Sequence, residues 1–286
     1  MSERTRTERV SDALKRNATG IIMAAVLVLI WYLQGWPLRV TLAFMMFMSV
    51  WEMYSAFAKK GYKPARWVGI LYSVAAMPVY LTLGQTSLFA LSALLCIIGL
   101  SALVFKGTVD LEGTVATVLP ILYPGMLITL MFPLMDMQPQ TLATTIIGLC
   151  FLTAMLNDVA AYAIGRRFGK RKLSPVLSPK KSVEGAVAGL AMSVVTCVLT
   201  PLVLGFLSGT FVFDMLPLRH FVIIGVLTGI AAPLGDLSAS MIKRHCGIKD
   251  YGTMFPGHGG MMDRMDSVVF TGAVVYCYLT FVQRMI

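Results

Sequence analysis

Long apolar stretches, separated by short polar segments, make up most of the chain. Nine stretches can be distinguished, and most are close to the roughly 20 residues that an α-helix needs to cross a bilayer core. They lie at 20–36, 38–58, 67–84, 86–105, 117–135, 140–164, 185–208, 219–242 and 267–285. The pattern predicts an all-α polytopic integral membrane protein with about nine transmembrane helices. Two Gly-x-x-x-Gly spacings, at 185–189 and 225–229, predict close packing between helices.

The composition supports this interpretation and excludes other classes of protein. Of the 286 residues, 57% are hydrophobic and 13% are charged, whereas a soluble domain carries about 25% charged residues. A soluble fold could not bury so much apolar surface, and a disordered chain or a coiled coil would need more charge. The five cysteines form no CxxC pair, so we expect neither a zinc site nor a disulfide framework.

The basic residues fall almost entirely on one side of this topology. All 24 lysines and arginines except Arg39, Arg219 and Arg284 lie before the first stretch or after an even-numbered one. Because cytoplasmic loops are enriched in Lys and Arg, we expect a cytoplasmic N-terminus and an outside C-terminus. The expected organisation is a basic cytoplasmic segment, five N-terminal helices and a catalytic region of four helices, at 1–19, 20–135 and 140–286.

Two of the cytoplasmic loops, 166–184 and 243–266, carry more chemistry than a connector needs. The first contains Ser-Pro-Lys-Lys-Ser at 178–182, directly before a predicted helix start, where hydroxyls and ammonium groups could bind a phosphate. The second combines cations, acids and a histidine with glycines that would let backbone N–H groups approach an anion. The cations could equally serve membrane orientation or bind anionic lipid head groups.

Acidic side chains lie close to the same membrane face. Asp263 and Asp266 are three residues apart, so on a helix they share a face and could bind one hard cation jointly. Glu52, Asp158 and Asp236 lie within apolar stretches, where a carboxylate at mid-membrane costs about 3 kcal/mol. A solvated carboxylate at a helix end is an equally good interpretation of Glu52. Acids beside Lys and Arg at one membrane face indicate a divalent-metal site for phosphates.

One long motif is far more specific than these separate features. It reads Ser240-x-x-Lys-Arg-x-x-x-x-Lys-Asp-x-Gly-x-x-Phe-Pro-x-His-Gly-Gly-x-x-Asp-Arg-x-Asp266. This pattern resembles the signature of the phosphatidate cytidylyltransferases, also called CDP-diacylglycerol synthases. Asn157-Asp-x-x-Ala-Tyr162 and Ser178-Pro-Lys-Lys-Ser-x-Glu184 are similar to the same family, although Ser182-Val183 stands where Thr-Trp is commoner. The resemblance covers about residues 150–270, and the first five helices match only in hydropathy and in Glu52.

The resemblance implies an activity and its partners. Members join phosphatidate and CTP to give CDP-diacylglycerol and pyrophosphate, they require magnesium, and a monovalent cation such as potassium can accompany it. The family fold is a nine-helix membrane dimer with a polar cavity facing the cytoplasm. We therefore expect CTP, phosphatidate, the bilayer and a second copy of the chain as partners, and no nucleic acid. The compact chain suggests the cytoplasmic membrane of a bacterium.

The resemblance also assigns roles to individual residues. It implies a metal centre at Asp236, Asp263 and Asp266, and catalytic roles for these residues together with Lys243 and Arg244. It implies substrate binding by Asn157, Asp158, Tyr162, Ser178, Lys180, Lys181, Ser182, Glu184, Ser240, Lys249, Asp250, His258, Gly259, Gly260 and Arg264.

Three other functions would share some of these sequence features. A polytopic transporter should carry polar residues near the bilayer midplane and on both sides, whereas here they lie at one face. A CDP-alcohol phosphotransferase has a different signature, beginning Asp-Gly, which this sequence lacks. A CTP-dependent lipid kinase is the nearest enzymatic alternative, and it would release CDP instead of pyrophosphate.

Overall fold

The computed structural model describes residues 34–104 and 110–281, together with Leu29 and Leu33. The predicted segment 1–19 and most of the predicted stretch 20–36 lie outside the described residues. The long helices are α1 (Gly35–Lys59), α2 (Arg66–Leu83), α3 (Gln85–Val104), α4 (Leu111–Pro120), α5 (Gln140–Phe168), α6 (Val183–Ser208), α7 (Leu218–His245) and α8 (Met262–Phe281).

Seven helical segments in the described part of the chain are long and apolar enough to cross a membrane. They are α1, α2, α3 as far as Ala102, the segment Leu111–Met135, α5, α6 and α7. Helix α8 is 20 residues long but is not among them, since Asp263, Arg264 and Asp266 make its first two turns polar. The all-α polytopic class is confirmed, whereas the count of nine and the sides of the two termini stay predictions.

The predicted fifth stretch is a broken helix. Helix α4 continues into a π-helical stretch, Ile121–Met126, in which Tyr123 leaves the helical conformation with φ −134° and ψ 114°. Two short helices, Leu127–Thr129 and Phe132–Met135, complete the segment. It also begins at Leu111, earlier than predicted, because the Asp110 side chain caps α4 by accepting the Gly113 N–H at 2.7 Å.

Helix α6 shows how the lipid-facing and packed surfaces are divided. Its buried positions include Gly185, Gly189, Ser193 and Cys197, four residues apart, while large apolar side chains such as Phe206 are exposed. Small residues let neighbouring backbones approach, and apolar side chains suit the lipid. The predicted close packing is confirmed, because a Cβ on the predicted Gly229 would lie 2.9 Å from the Leu190 Cα of α6.

The helices bring the polar loops to one end of the bundle. Helix α5 packs on α6, α6 on α7, α7 on α8, and α8 returns to α5. Helix α8 also contacts α1 and the π-helical stretch, so it joins the two halves of the chain. Any group at the start of α8 is therefore within reach of residues from both halves.

The two predicted loops differ in detail from the structure. Within 166–184, α5 continues to Phe168, and an antiparallel hairpin of β1 (Lys172–Ser174) and β2 (Ser178–Ser182) precedes α6. Arg166 and Arg167 in the last turn of α5 suit the negative end of the helix dipole. Within 243–266, Lys243 and Arg244 lie at the end of α7, and Asp263, Arg264 and Asp266 lie at the start of α8. Lys249 and Asp250 lie in the loop between these helices.

Candidate active site

The hairpin and α7 meet through an ion pair between Lys181 and Asp236. Lys181, in β2, places Nζ against Asp236 Oδ2 of α7, and the same Nζ lies 4.0 Å from Asp158 Oδ1 of α5. Lys181 is partly exposed and Asp236 retains a quarter of its side-chain exposure, so a ligand can reach this pair. The hairpin therefore brings one of its predicted phosphate-binding lysines to a carboxylate that the sequence places 55 positions away.

Two predicted substrate-binding residues hold this hairpin in place. The Glu184 carboxylate accepts backbone N–H groups from Lys170 at 3.0 Å and Arg171 at 3.2 Å. Ser182 caps α6, since its Oγ accepts the Gly185 N–H at 3.2 Å. These contacts orient the strand that carries Lys181, and substrate binding by Ser182 and Glu184 stays a prediction.

Asp263 organises the loop that precedes α8. Its Oδ1 lies 2.8 Å from Lys243 Nζ, and its Oδ2 accepts the N–H groups of Tyr251 at 2.8 Å and Gly260 at 2.9 Å. Burial raises the pKa of the Tyr251 hydroxyl well above its usual value, so this group stays protonated and donates to Ala239 O at 3.0 Å. Both Asp263 oxygens are thus committed to contacts within the protein.

Glu52 completes the anchoring of this loop from the N-terminal half of the chain. Its carboxylate, in α1, accepts the N–H groups of Met261 at 3.0 Å and Met262 at 2.8 Å, where α8 begins. The first N–H groups of a helix have no intrahelical acceptor, and a negative charge there is favourable. Gly252 and Gly260 lie so close to the carboxylate that a Cβ on either would collide with it. Glu52 is 5% exposed, so its interpretation as a solvated helix-end carboxylate is wrong.

Asp236 on α7 and Asp266 on α8 are two further carboxylates at this end of the bundle. Asp266 is buried, and its Oδ1 accepts the Ser267 N–H at 2.7 Å. The charges of Asp236 and Asp266 act on each other, and the Ser240 hydroxyl donates to Asp236 Oδ1 at 3.4 Å. Helices α7 and α8 approach closely here, since a Cβ on Gly235 would meet the Asp266 backbone oxygen.

A metal site would need several of these carboxylates to converge on one point. Among the residues that the structure describes, no group of three or more His, Cys, Asp and Glu side chains is arranged to hold a metal ion. The three-carboxylate centre stays a prediction. Asp236 faces the Lys181 ammonium group and Asp263 faces the Lys243 ammonium group, whereas Asp266 forms no ion pair with a described residue. Asp266 is therefore the carboxylate most available to a cation.

Some of the remaining predicted substrate-binding residues are buried and others are exposed. Asn157 is 3% exposed, and its amide donates to Ser193 Oγ at 3.0 Å and Gly229 O at 3.1 Å, which links α5, α6 and α7. Nδ1 of His258 is buried and has no hydrogen-bond partner among the described residues. Gly259 has a positive φ of 81°, which a larger residue rarely adopts. Exposed side chains surround this end of the bundle: Asp158, Tyr162, Lys180, Arg244, Lys249, Asp250 and Arg264.

Comparison with known proteins establishes the family. The model of the cytidylyltransferase family matches residues 14–282. The chain belongs to this family. It is 45% identical over 120 residues to a phosphatidate cytidylyltransferase of Staphylococcus saprophyticus, which is 42% of this chain and 43% of that protein.

Two further relatives carry the same name. Identity is 43% over 126 residues with the Haemophilus influenzae phosphatidate cytidylyltransferase, covering 44% of this chain and 42% of that protein. It is 39% over 145 residues with the Synechocystis protein, covering 49% and 44%. The alignments thus span less than half the length of each relative. The family that the motifs indicate is therefore confirmed.

Proposed function

We propose that the protein is a phosphatidate cytidylyltransferase that converts CTP and phosphatidate to CDP-diacylglycerol and pyrophosphate. The observation that carries this proposal is the cluster of Lys181, Asp236 and Asp266 at one end of a membrane-spanning helix bundle in a cytidylyltransferase-family chain. Polyanionic substrates need cations, and an apolar bundle keeps the acyl chains of a lipid substrate within the bilayer.

The chemistry can proceed without a general base. The phosphate of phosphatidate is ionised at neutral pH, so one of its oxygens can attack the α-phosphorus of CTP in line with the departing pyrophosphate. One phosphorus–oxygen bond forms and the α–β phosphoanhydride bond breaks, and no proton needs to be removed first. Catalysis then depends on positioning and on neutralising the charge of the phosphates.

The protein's own residues supply that positioning and part of the charge. Lys181 is held at Asp236 by the hairpin and can turn its ammonium group to a substrate phosphate. Asp236 and Asp266 are the residues that would hold Mg²⁺, which when bound neutralises phosphate charge and stabilises the leaving pyrophosphate. Asp263 orients Lys243 and fixes the loop from Tyr251 to Gly260, so we assign it a positioning role.

The membrane arrangement follows from the same residues. We place the site at the cytoplasmic face, where CTP is available and where the exposed cations Lys180, Arg244 and Lys249 would lie. Phosphatidate would enter from the bilayer with its acyl chains remaining among the helices. The homodimer of the family is part of the proposal, as is a bacterial cytoplasmic membrane.

Purified protein in detergent tests the proposal. With CTP, phosphatidate and Mg²⁺ we expect CDP-diacylglycerol and pyrophosphate in equal amounts, and we expect Asp236→Asn and Asp266→Asn to lose most of this turnover. Formation of CDP and a phosphorylated lipid would indicate the lipid kinase instead. Wild-type turnover in both aspartate variants would contradict the site assignment.

A further inference from the structure

The break in the fourth described span occurs at Tyr123. Its backbone leaves the helical conformation inside a segment that is otherwise long and apolar enough to span a membrane. Irregular backbone at membrane depth is tolerated where it is buried in protein or lines a polar cavity. The break places this tyrosine against α8, since its ring packs edge-on against Phe270 with the centroids 5.8 Å apart.

The Tyr123 hydroxyl has no hydrogen-bond partner in the part of the chain that the structure describes. Tyr123 is 9% exposed, its hydroxyl oxygen is buried, and no described residue forms a hydrogen bond with it. Leaving such a group unsatisfied costs about 1–3 kcal/mol. Other buried tyrosines avoid this cost: Tyr54 donates to Thr117 O at 2.8 Å and Tyr251 to Ala239 O at 3.0 Å. Phenylalanine at position 123 would avoid this free-energy cost and would lose no hydrogen bond to a described residue.

The residues near the Tyr123 hydroxyl belong to the candidate site. It lies close enough to Asp266 and Asp236 for both charges to act on it, and it also interacts electrostatically with Tyr251. Phe270, on which the ring packs, is one turn beyond Asp266 on α8. The hydroxyl bonds to neither carboxylate and to no other described residue, so its proton is left for an acceptor oxygen of a ligand at this site.

We propose that Tyr123 is a substrate-contacting residue whose hydroxyl donates a hydrogen bond to a phosphate oxygen of a substrate bound at the cluster of Lys181, Asp236 and Asp266. This inference rests on the proposed function for the nature of the ligand. It assigns part of the substrate site to the N-terminal half of the chain, in which sequence reasoning placed no substrate contact. The phosphate belongs either to CTP or to phosphatidate, and these sources differ in their kinetic consequences.

The test compares Tyr123→Phe with Tyr54→Phe, which removes the same hydroxyl from another buried tyrosine of the bundle. Tyr123→Phe should leave the Tm unchanged or higher and lower kcat/KM about 10- to 100-fold for the substrate that is contacted. Tyr54→Phe should lower the Tm, because it breaks a hydrogen bond between helices, and leave kcat/KM unchanged. Separate titrations of CTP and phosphatidate show which phosphate Tyr123 contacts.

A binding measurement keeps the inference testable if the proposed reaction is wrong. Pyrophosphate and inorganic phosphate, each with Mg²⁺, should raise the Tm of the wild-type protein, and Tyr123→Phe should reduce the shift for at least one of them. A wild-type protein that lacks turnover would overturn the proposed function while this comparison still tests Tyr123. Equal shifts in both proteins, with any measured kcat/KM within twofold, would overturn the role of Tyr123.

Discussion

Replacing Glu52 with glutamine tests whether the N-terminal half of the chain anchors the candidate site. Glu52 Oε1 and Oε2 each accept one backbone N–H at the start of α8. Glutamine retains one acceptor oxygen, and its amide NH₂ would face the other N–H. The loss of one charge-assisted hydrogen bond and of the charge at the helix N-terminus should cost about 2–4 kcal/mol.

Two measurements follow this change. The free energy of unfolding in mixed micelles should fall by the stated amount, and turnover should also fall, because α8 carries Asp263 and Asp266 in its first two turns. Glu112→Gln is the matched control, since Glu112 is exposed in the first turn of α4. Glu52→Asp should give an intermediate effect, because the shorter side chain cannot reach both N–H groups with the same geometry.

Identical behaviour of the two glutamine variants would exclude this role of Glu52. If Glu52→Gln matched Glu112→Gln in both stability and turnover, the two hydrogen bonds would contribute nothing to the site. A loss of stability with normal turnover per folded molecule would confine Glu52 to a purely structural role.

Three further predictions concern the charged cluster. Lys181→Met should lower kcat/KM about 10²-fold, whereas Lys180→Met should have a smaller effect because Lys180 is exposed and Lys181 contacts Asp236; equal effects on kcat/KM would contradict this ranking. Asp263→Asn should destabilise the protein by about 3–5 kcal/mol because it leaves the Lys243 ammonium group buried without its partner, and adding Lys243→Met should recover part of that loss in the same unfolding assay. EDTA should abolish turnover and Mg²⁺ restore it, with Asp266→Asn needing about 10-fold more Mg²⁺ for half-maximal turnover; an unchanged Mg²⁺ requirement would remove Asp266 from the metal site.

The helices that cross the membrane could be predicted from hydropathy because large apolar side chains make up much of their exposed surface. The predicted stretch 140–164 and helix α5 share their first residue. The hairpin could not be predicted in this way, since residues 172–182 are mostly polar and carry no clear period. Its position depends on Glu184, which binds backbone N–H groups 13 and 14 residues earlier.

The motifs name residues of the candidate site, whereas the contacts of these residues come from the fold. The motifs single out Asp236, Asp263 and Asp266, but only the fold shows that Asp263 faces Lys243 while Asp236 faces Lys181. The partners of Glu52 lie 209 and 210 positions away, so nothing near it in sequence indicates its role.

Tyr123 illustrates a different limit. It lies in a stretch whose hydropathy predicts a continuous helix, and only Pro120 and Pro124 on either side suggest a break. That signal was present in the sequence, but it does not reveal which neighbour the displaced side chain meets.

The fate of the CTP phosphates distinguishes cytidylyl transfer to phosphatidate from phosphorylation of a lipid. CTP labelled at the α-phosphate and, separately, at the γ-phosphate would be supplied to the purified protein with phosphatidate and Mg²⁺. A phosphatidate cytidylyltransferase transfers the α-label into the lipid and releases the γ-label as pyrophosphate. Appearance of the γ-label in the lipid, with the α-label remaining in CDP, would contradict the proposed function.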